Sequence, residues 1–149
     1  MKKSNNKGFS LVELIVVVAI MAVLVGVLAP AYLKYVENSR IQKDESAASE
    51  VVRAVEIALA EEDNYTSVTS PAKITITDKP ASGDATWTPS GLTAVDSKYS
   101  LIEDVQATVG KTIDLTSKKY DGGTIVVDIT ITDGVVTVTG GAVAKTTTP

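Results

Sequence analysis

A run of apolar residues from Phe9 to Ala29 is broken by a single charge, Glu13. No other feature of this chain restricts its architecture as strongly. From Leu14 to Leu33 there are 20 residues without a charge, the length at which a helix crosses a ~30 Å hydrocarbon core. A carboxylate one turn into such a helix costs on the order of 2.5–3.5 kcal/mol at a bilayer centre and less near its edge. It therefore reads as a functional position awaiting a partner charge. Lys2, Lys3 and Lys7 precede the run and orient that end toward the cytoplasm, leaving the remainder outside.

Three readings of the segment compete. A secretory signal peptide needs an apolar stretch of only about 7–15 residues and a small-x-small cleavage site; Ala29-Pro30-Ala31 offers the site, but the run is longer and carries Glu13. A plain single-span anchor fits the length and leaves Glu13 without a role. A helix that first spans a membrane and later packs against copies of itself accounts for both. Ala22 and Gly26 form a small-xxx-small pair that lets another backbone approach. Pro30 lacks the N–H that would bond the carbonyl of Gly26, itself a poor helix former. The stretch 22–30 is therefore the expected weak point, a kink at least and a candidate for unwinding. Tyr32 and Tyr35 read as interfacial anchors.

The stretch Lys7-Gly8-Phe9-Ser10-Leu11-Val12-Glu13-Leu14 resembles the processing motif of type IV prepilins: Gly at the cut, Phe after it, Glu four residues on. The short lysine-containing leader and Pro30 match as well. The resemblance covers about the first 35 residues and departs at Ala22, where many members carry glycine. It implies cleavage between Gly8 and Phe9 by a prepilin peptidase, N-methylation of Phe9, storage in the cytoplasmic membrane, and extraction into a homopolymeric filament by an assembly ATPase and a platform protein. In that filament Glu13 would pair with the Phe9 ammonium of an adjacent subunit. An apolar interior makes an unpaired carboxylate costly, and a paired one can specify register.

Composition narrows the chemistry. The chain has no histidine and no cysteine, which removes the commonest general base, thiolate nucleophiles, thiolate metal sites and disulfides. No catalytic pair, cofactor or metal site is expected. Without its three leader lysines the chain's net charge falls from −4 to −7, so nucleic acid is not an expected partner. Many pilins of two-membrane bacteria close a C-terminal loop with a disulfide; a chain without cysteine fits better with the pilins of single-membrane organisms.

The expected fold class is α+β, a long N-terminal helix packed on a small antiparallel sheet. Its parts are a leader (1–8), a membrane and filament-core helix (9–30), an amphipathic helix (31–63) and a β-rich head (64–149). Ile41, Ala48, Val52, Val55 and Leu59 recur at helical intervals. All 18 threonines lie from Thr66 onward, which suits a solvent-facing β module. Asp133-Gly134 between the alternating runs 124–132 and 135–140 predicts a two-residue hairpin. That register pairs Ile131 with Val136 and Ile129 with Val138 on the helix-facing side, with Thr130–Thr137 and Asp128–Thr139 toward solvent. Lys73–Thr77 and Lys111–Leu115 are further strand candidates. Residues 78–98 read as a long surface loop, with Trp87 folding back as an apolar plug in preference to serving as an adhesive contact. Asp121-Gly122-Gly123 reads as a turn, without calcium-loop spacing. Asn64-Tyr65-Thr66 fits the glycosylation triplet, and the tail Ala144–Pro149 is expected to be mobile.

The function these features imply is that of a structural pilus subunit. A pseudopilin of a type II secretion or competence system would share the same N-terminus. A membrane-tethered extracellular binding domain that never polymerises is the competing class; it predicts an intact N-terminus and indifference to Glu13→Ala.

Overall fold

A computed structural model describes residues 8–77, 84–94 and 99–144. The chain divides into two units, residues 1–37 and residues 38–149. Helix α1 (Leu11–Ala58) begins in the first unit and ends in the second. It is followed by α2 (Glu62–Ser67), β1 (Val68–Thr77), β2 (Thr86–Leu92), α3 (Ser100–Val109), β3 (Thr124–Thr132) and β4 (Val135–Val143). The strands form one antiparallel sheet in the order β2-β1-β3-β4.

In the second unit a single core joins one helix face to one sheet face. Ala48, Val51, Ala54, Val55 and Ala58 recur along α1 at three- and four-residue spacing and are buried. They share a cluster with Ile74 and Ile76 of β1 and Ile125, Val127 and Ile129 of β3. Ile74 lies opposite Val127 and Ile76 opposite Ile125, so the period-two pattern sends both rows to the same side. Ile41 and Val52 pack against the cluster from its margin. The 133–134 hairpin has the expected register, Ile131 opposite Val136 and Thr130 opposite Thr137. Asp133 and Gly134 have φ of 52° and 78°, the left-handed pair that a primed two-residue turn demands.

Four expectations are corrected. The amphipathic helix stops at Ala58, not near 63, and the short helix α2 opens the head. Ala60 and Glu61 tighten the last turn by donating to Ile57 and Ala58, and Leu59 turns into the core. The 78–98 loop contains an edge strand, β2, because β1 has a free side to pair with and Thr86, Trp87 and Thr88 are good strand formers; residues 78–83 and 95–98 lie outside the described residues. Lys111–Leu115 forms no strand. Its alternation is genuine, since Ile113 and Leu115 are buried, but the backbone that follows is held by a side chain, Asp44, instead of a neighbouring strand. Helix α3 was not foreseen at all; Leu101, Ile102 and Val105 form its buried stripe.

Trp87 packs against the core and stands opposite Ile76, as the plug reading required. Its indole N–H donates to the Lys111 carbonyl at 3.4 Å. The mobile-tail expectation falls mostly on residues 145–149, which lie outside the described residues.

Candidate functional site: the apolar helix and its single carboxylate

Glu13 is the third residue of α1 and Ser10 is its N-cap position. The first amides of a helix have no partner within it. Here the Ser10 N–H donates to Glu13 Oε2 at 3.0 Å, the reach-back half of a capping box. The local signal for this cap is the spacing Ser10-x-x-Glu13, which the sequence reading above does not use. The carboxylate is therefore not idle in the single chain; it is held at the helix's own start.

Gly8 and Phe9 lie just ahead of that cap and are exposed. Neither Gly8 nor Gly26 is required by packing, since a Cβ at either would meet nothing within 4 Å. Beyond Glu13 the apolar side chains from Leu14 to Leu33 remain exposed on every side. A helix apolar all round is one that lipid or other helices must cover. It is long and apolar enough to cross a membrane by length and composition. The helix passes through Gly26 and Pro30 without a break, so the expected weak point is helical in the single chain. The structure thus places Gly8, Phe9 and Glu13 together at one helix end. Gly26 and Pro30 lie further along the same helix.

In the head, polar contacts fasten elements rather than form a reaction centre. Asp44 is fully buried. Its Oδ1 accepts the Thr116 N–H at 3.0 Å and its Oδ2 the Ser117 N–H at 2.8 Å. Burial pushes the Asp44 pKa up, but hydrogen bonds from the Ser117 side chain and the two amides outweigh it and hold the group below its ordinary range. On the surface Glu45 accepts from the Tyr120 hydroxyl at 2.9 Å and from Lys119 Nζ at 3.3 Å. The Tyr120 hydrogen bond is the main cause lowering the Glu45 pKa, with Lys119 second. The Lys119 pKa is raised, first by Tyr120 and then by Glu45.

The Asn64 triplet is closed to glycosylation in the folded head. Asn64 is 1% exposed, and its amide Nδ2 donates to the Ala58 carbonyl at 3.0 Å and Asp104 Oδ2 at 2.7 Å. It serves as a side-chain cap on the end of α1. Among the described residues no group of His, Cys, Asp and Glu side chains is placed to hold a metal ion.

The prokaryotic N-terminal methylation motif matches residues 3–29. A prepilin peptidase-dependent protein A of Clostridium perfringens is 38% identical over 69 residues, 46% of this chain and 49% of that protein. A type IV major fimbrial protein FimA of Dichelobacter nodosus is 37% identical over 57 residues, 38% of this chain and 36% of the relative. The chain spans at most about half the length of these curated relatives. No solved structure matches it. The α+β architecture, a long apolar N-terminal helix packed on a four-stranded antiparallel sheet, agrees with the same family. By its motif and its relatives, the N-terminal segment of this chain is similar to that of type IV pilin-like proteins.

Proposed function

We propose that this chain is the structural subunit of a type IV pilus. The observation that carries the reading is a helix exposed and apolar on all sides from Leu14 to Leu33, with its one carboxylate, Glu13, next to the Gly8–Phe9 bond. A lone chain leaves that surface uncovered in water. Lipid covers it before assembly, and the helices of other copies cover it afterwards.

On this reading a prepilin peptidase cuts after Gly8 and the Phe9 amine is methylated. The new ammonium then lies four residues before Glu13, within reach of the carboxylate of its own or an adjacent helix. Pairing relieves both charges in an apolar filament interior, where a carboxylate without a counter-charge is costly. An ATPase and platform protein extract the subunit from the cytoplasmic membrane, N-terminus inward, into the extracellular filament. Gly26 and Pro30 provide the place where the helix bends or opens during packing. The subunit performs no catalysis.

The test is the intact mass and N-terminal sequence of the protein sheared from the surface of its native host. The expected chain starts at Phe9 and carries one added methyl group. A chain starting at Met1 overturns the reading in favour of a tethered domain, and one starting near Tyr32 in favour of a secreted protein.

A further inference from the structure

Helix α1 carries two rows of charge that answer each other in sign. Lys34, Glu37 and Arg40 follow at three-residue intervals in the order plus, minus, plus. Glu50, Arg53 and Glu56 follow at the same interval in the order minus, plus, minus. Residues three apart are neighbours on a helix surface, and such spacing ordinarily serves ion pairs within the helix itself. Here it does not serve them in the second row. All three of its residues are exposed, yet among the described residues Arg53 lies within ion-pair distance of neither Glu50 nor Glu56. Lys34 and Arg40 are exposed as well and form no ion pair.

We propose that the row Glu50, Arg53, Glu56 docks against the row Lys34, Glu37, Arg40 of a second copy of this chain, its helix parallel and displaced by sixteen residues, about 24 Å at ~1.5 Å per residue. Charge complementarity names the occupant and the register together. At this displacement Glu50 meets Lys34, Arg53 meets Glu37 and Glu56 meets Arg40. A slip of one step sets like charges opposite in either direction. Thirteen residues bring Glu50 to Glu37 and Arg53 to Arg40; nineteen bring Arg53 to Lys34 and Glu56 to Glu37. The alternation thus rejects the neighbouring registers while favouring one.

This inference rests on the pilus reading, which gives the helices a common direction because all leave the same membrane. The apolar segment supplies contact area but, apart from Glu13, nothing that distinguishes one axial displacement from another. Exposed ion pairs are individually weak, and their arrangement governs register more than affinity. The copy addressed here is not the one whose Phe9 ammonium meets Glu13, since that pairing needs a displacement of only four residues. The two rows are different patches, so each docked copy leaves one of each open and the contact propagates.

The test is made with the full-length chain in its native host. Arg40→Glu and Glu56→Arg each set like charges together at one contact, and each should lower the number of surface filaments about two- to tenfold. Combining them exchanges the two partners and should restore most of the filaments. Thermal melts establish that the variants keep the head's fold. The contact can also be marked directly, because the chain contains no cysteine. A chain carrying both Glu37→Cys and Arg53→Cys should give, in filaments under a mild oxidant, a ladder of disulfide-linked multimers. Either cysteine alone should not pass the dimer. Should a charge reversal unfold the head, the ladder decides by itself. Single reversals without effect, a combined variant no better than the singles, or filaments without a ladder overturn the proposal. An N-terminal mass beginning at Phe9 beside any of those results leaves the pilus reading standing without this contact, whereas one beginning at Met1 removes both.

Discussion

The two units of this chain solve opposite problems. Residues 38–149 carry their own core, with Val55, Ile74, Val105, Ile125, Val127 and Ile129 fully enclosed. In residues 1–37 no described residue is buried. The head is thus specified by contacts within one chain, and the apolar helix by contacts that need lipid or other chains. Stability and assembly should therefore respond to different residues, and each prediction tests that separation.

The largest effect on assembly is expected at Glu13. Glu13→Ala removes the counter-charge and should abolish ordered filament growth in the native host while leaving the melting temperature of the head unchanged. Surface filaments counted by electron microscopy, with a parallel melt, measure both; a head that melts earlier would break the comparison. The largest effect on stability is expected at Ile76, where truncation to Ala should cost about 2–5 kcal/mol through lost burial and the cavity left behind. Leu24→Ala, on the exposed helix, should leave the head's chemical denaturation midpoint where it was.

Asp44→Ala comes next. It strands the Thr116 and Ser117 amides inside the head, at a cost of about 1–3 kcal/mol. The same carboxylate sets an acid limit. Its folded pKa lies below the ordinary aspartate value of 3.8, so its stabilising contribution is complete above that value. The contribution is lost as pH falls through the folded pKa. Melts between pH 5 and pH 2 should show the wild-type head weakening below about pH 3.8, and Asp44→Asn losing most of that acid-side slope. The smallest change is expected for Lys119→Ala, since Lys119 and Glu45 are exposed and solvent screens their pairing. Melts at low and high salt should differ little between this variant and the wild type.

The sequence was most legible where pattern and chemistry were local. The apolar run, the Gly8–Phe9–Glu13 spacing and the Asp133-Gly134 hairpin depend on neighbours along the chain, and the hairpin's register followed from its turn. Features that depend on distant partners were not legible. Residues 86–92 look like a loop because Pro89, Ser90 and Gly91 break the pattern; only the free edge of β1 makes them a strand. Asn64 looks like an acceptor for sugar until the end of α1 and Asp104 close around its amide. Asp44 is one acid among many on a helix surface until the loop at 116–117 folds over it. Helix α3 and the Ser10–Glu13 cap are different, since both have local signals, the Leu101–Ile102–Val105 stripe and the Ser-x-x-Glu spacing.

Trp87 has a practical consequence. It is the chain's one tryptophan, and it sits on the edge strand β2 with its ring against the core. Its emission is therefore a label supplied by the chain itself, reporting on one sheet edge alone. Peeling of β2 from β1 would move that fluorescence to longer wavelength, whereas events at β4 or along the apolar helix would leave its colour unchanged. One cuvette measurement can thus distinguish which side of the head yields first to heat, acid or a partner.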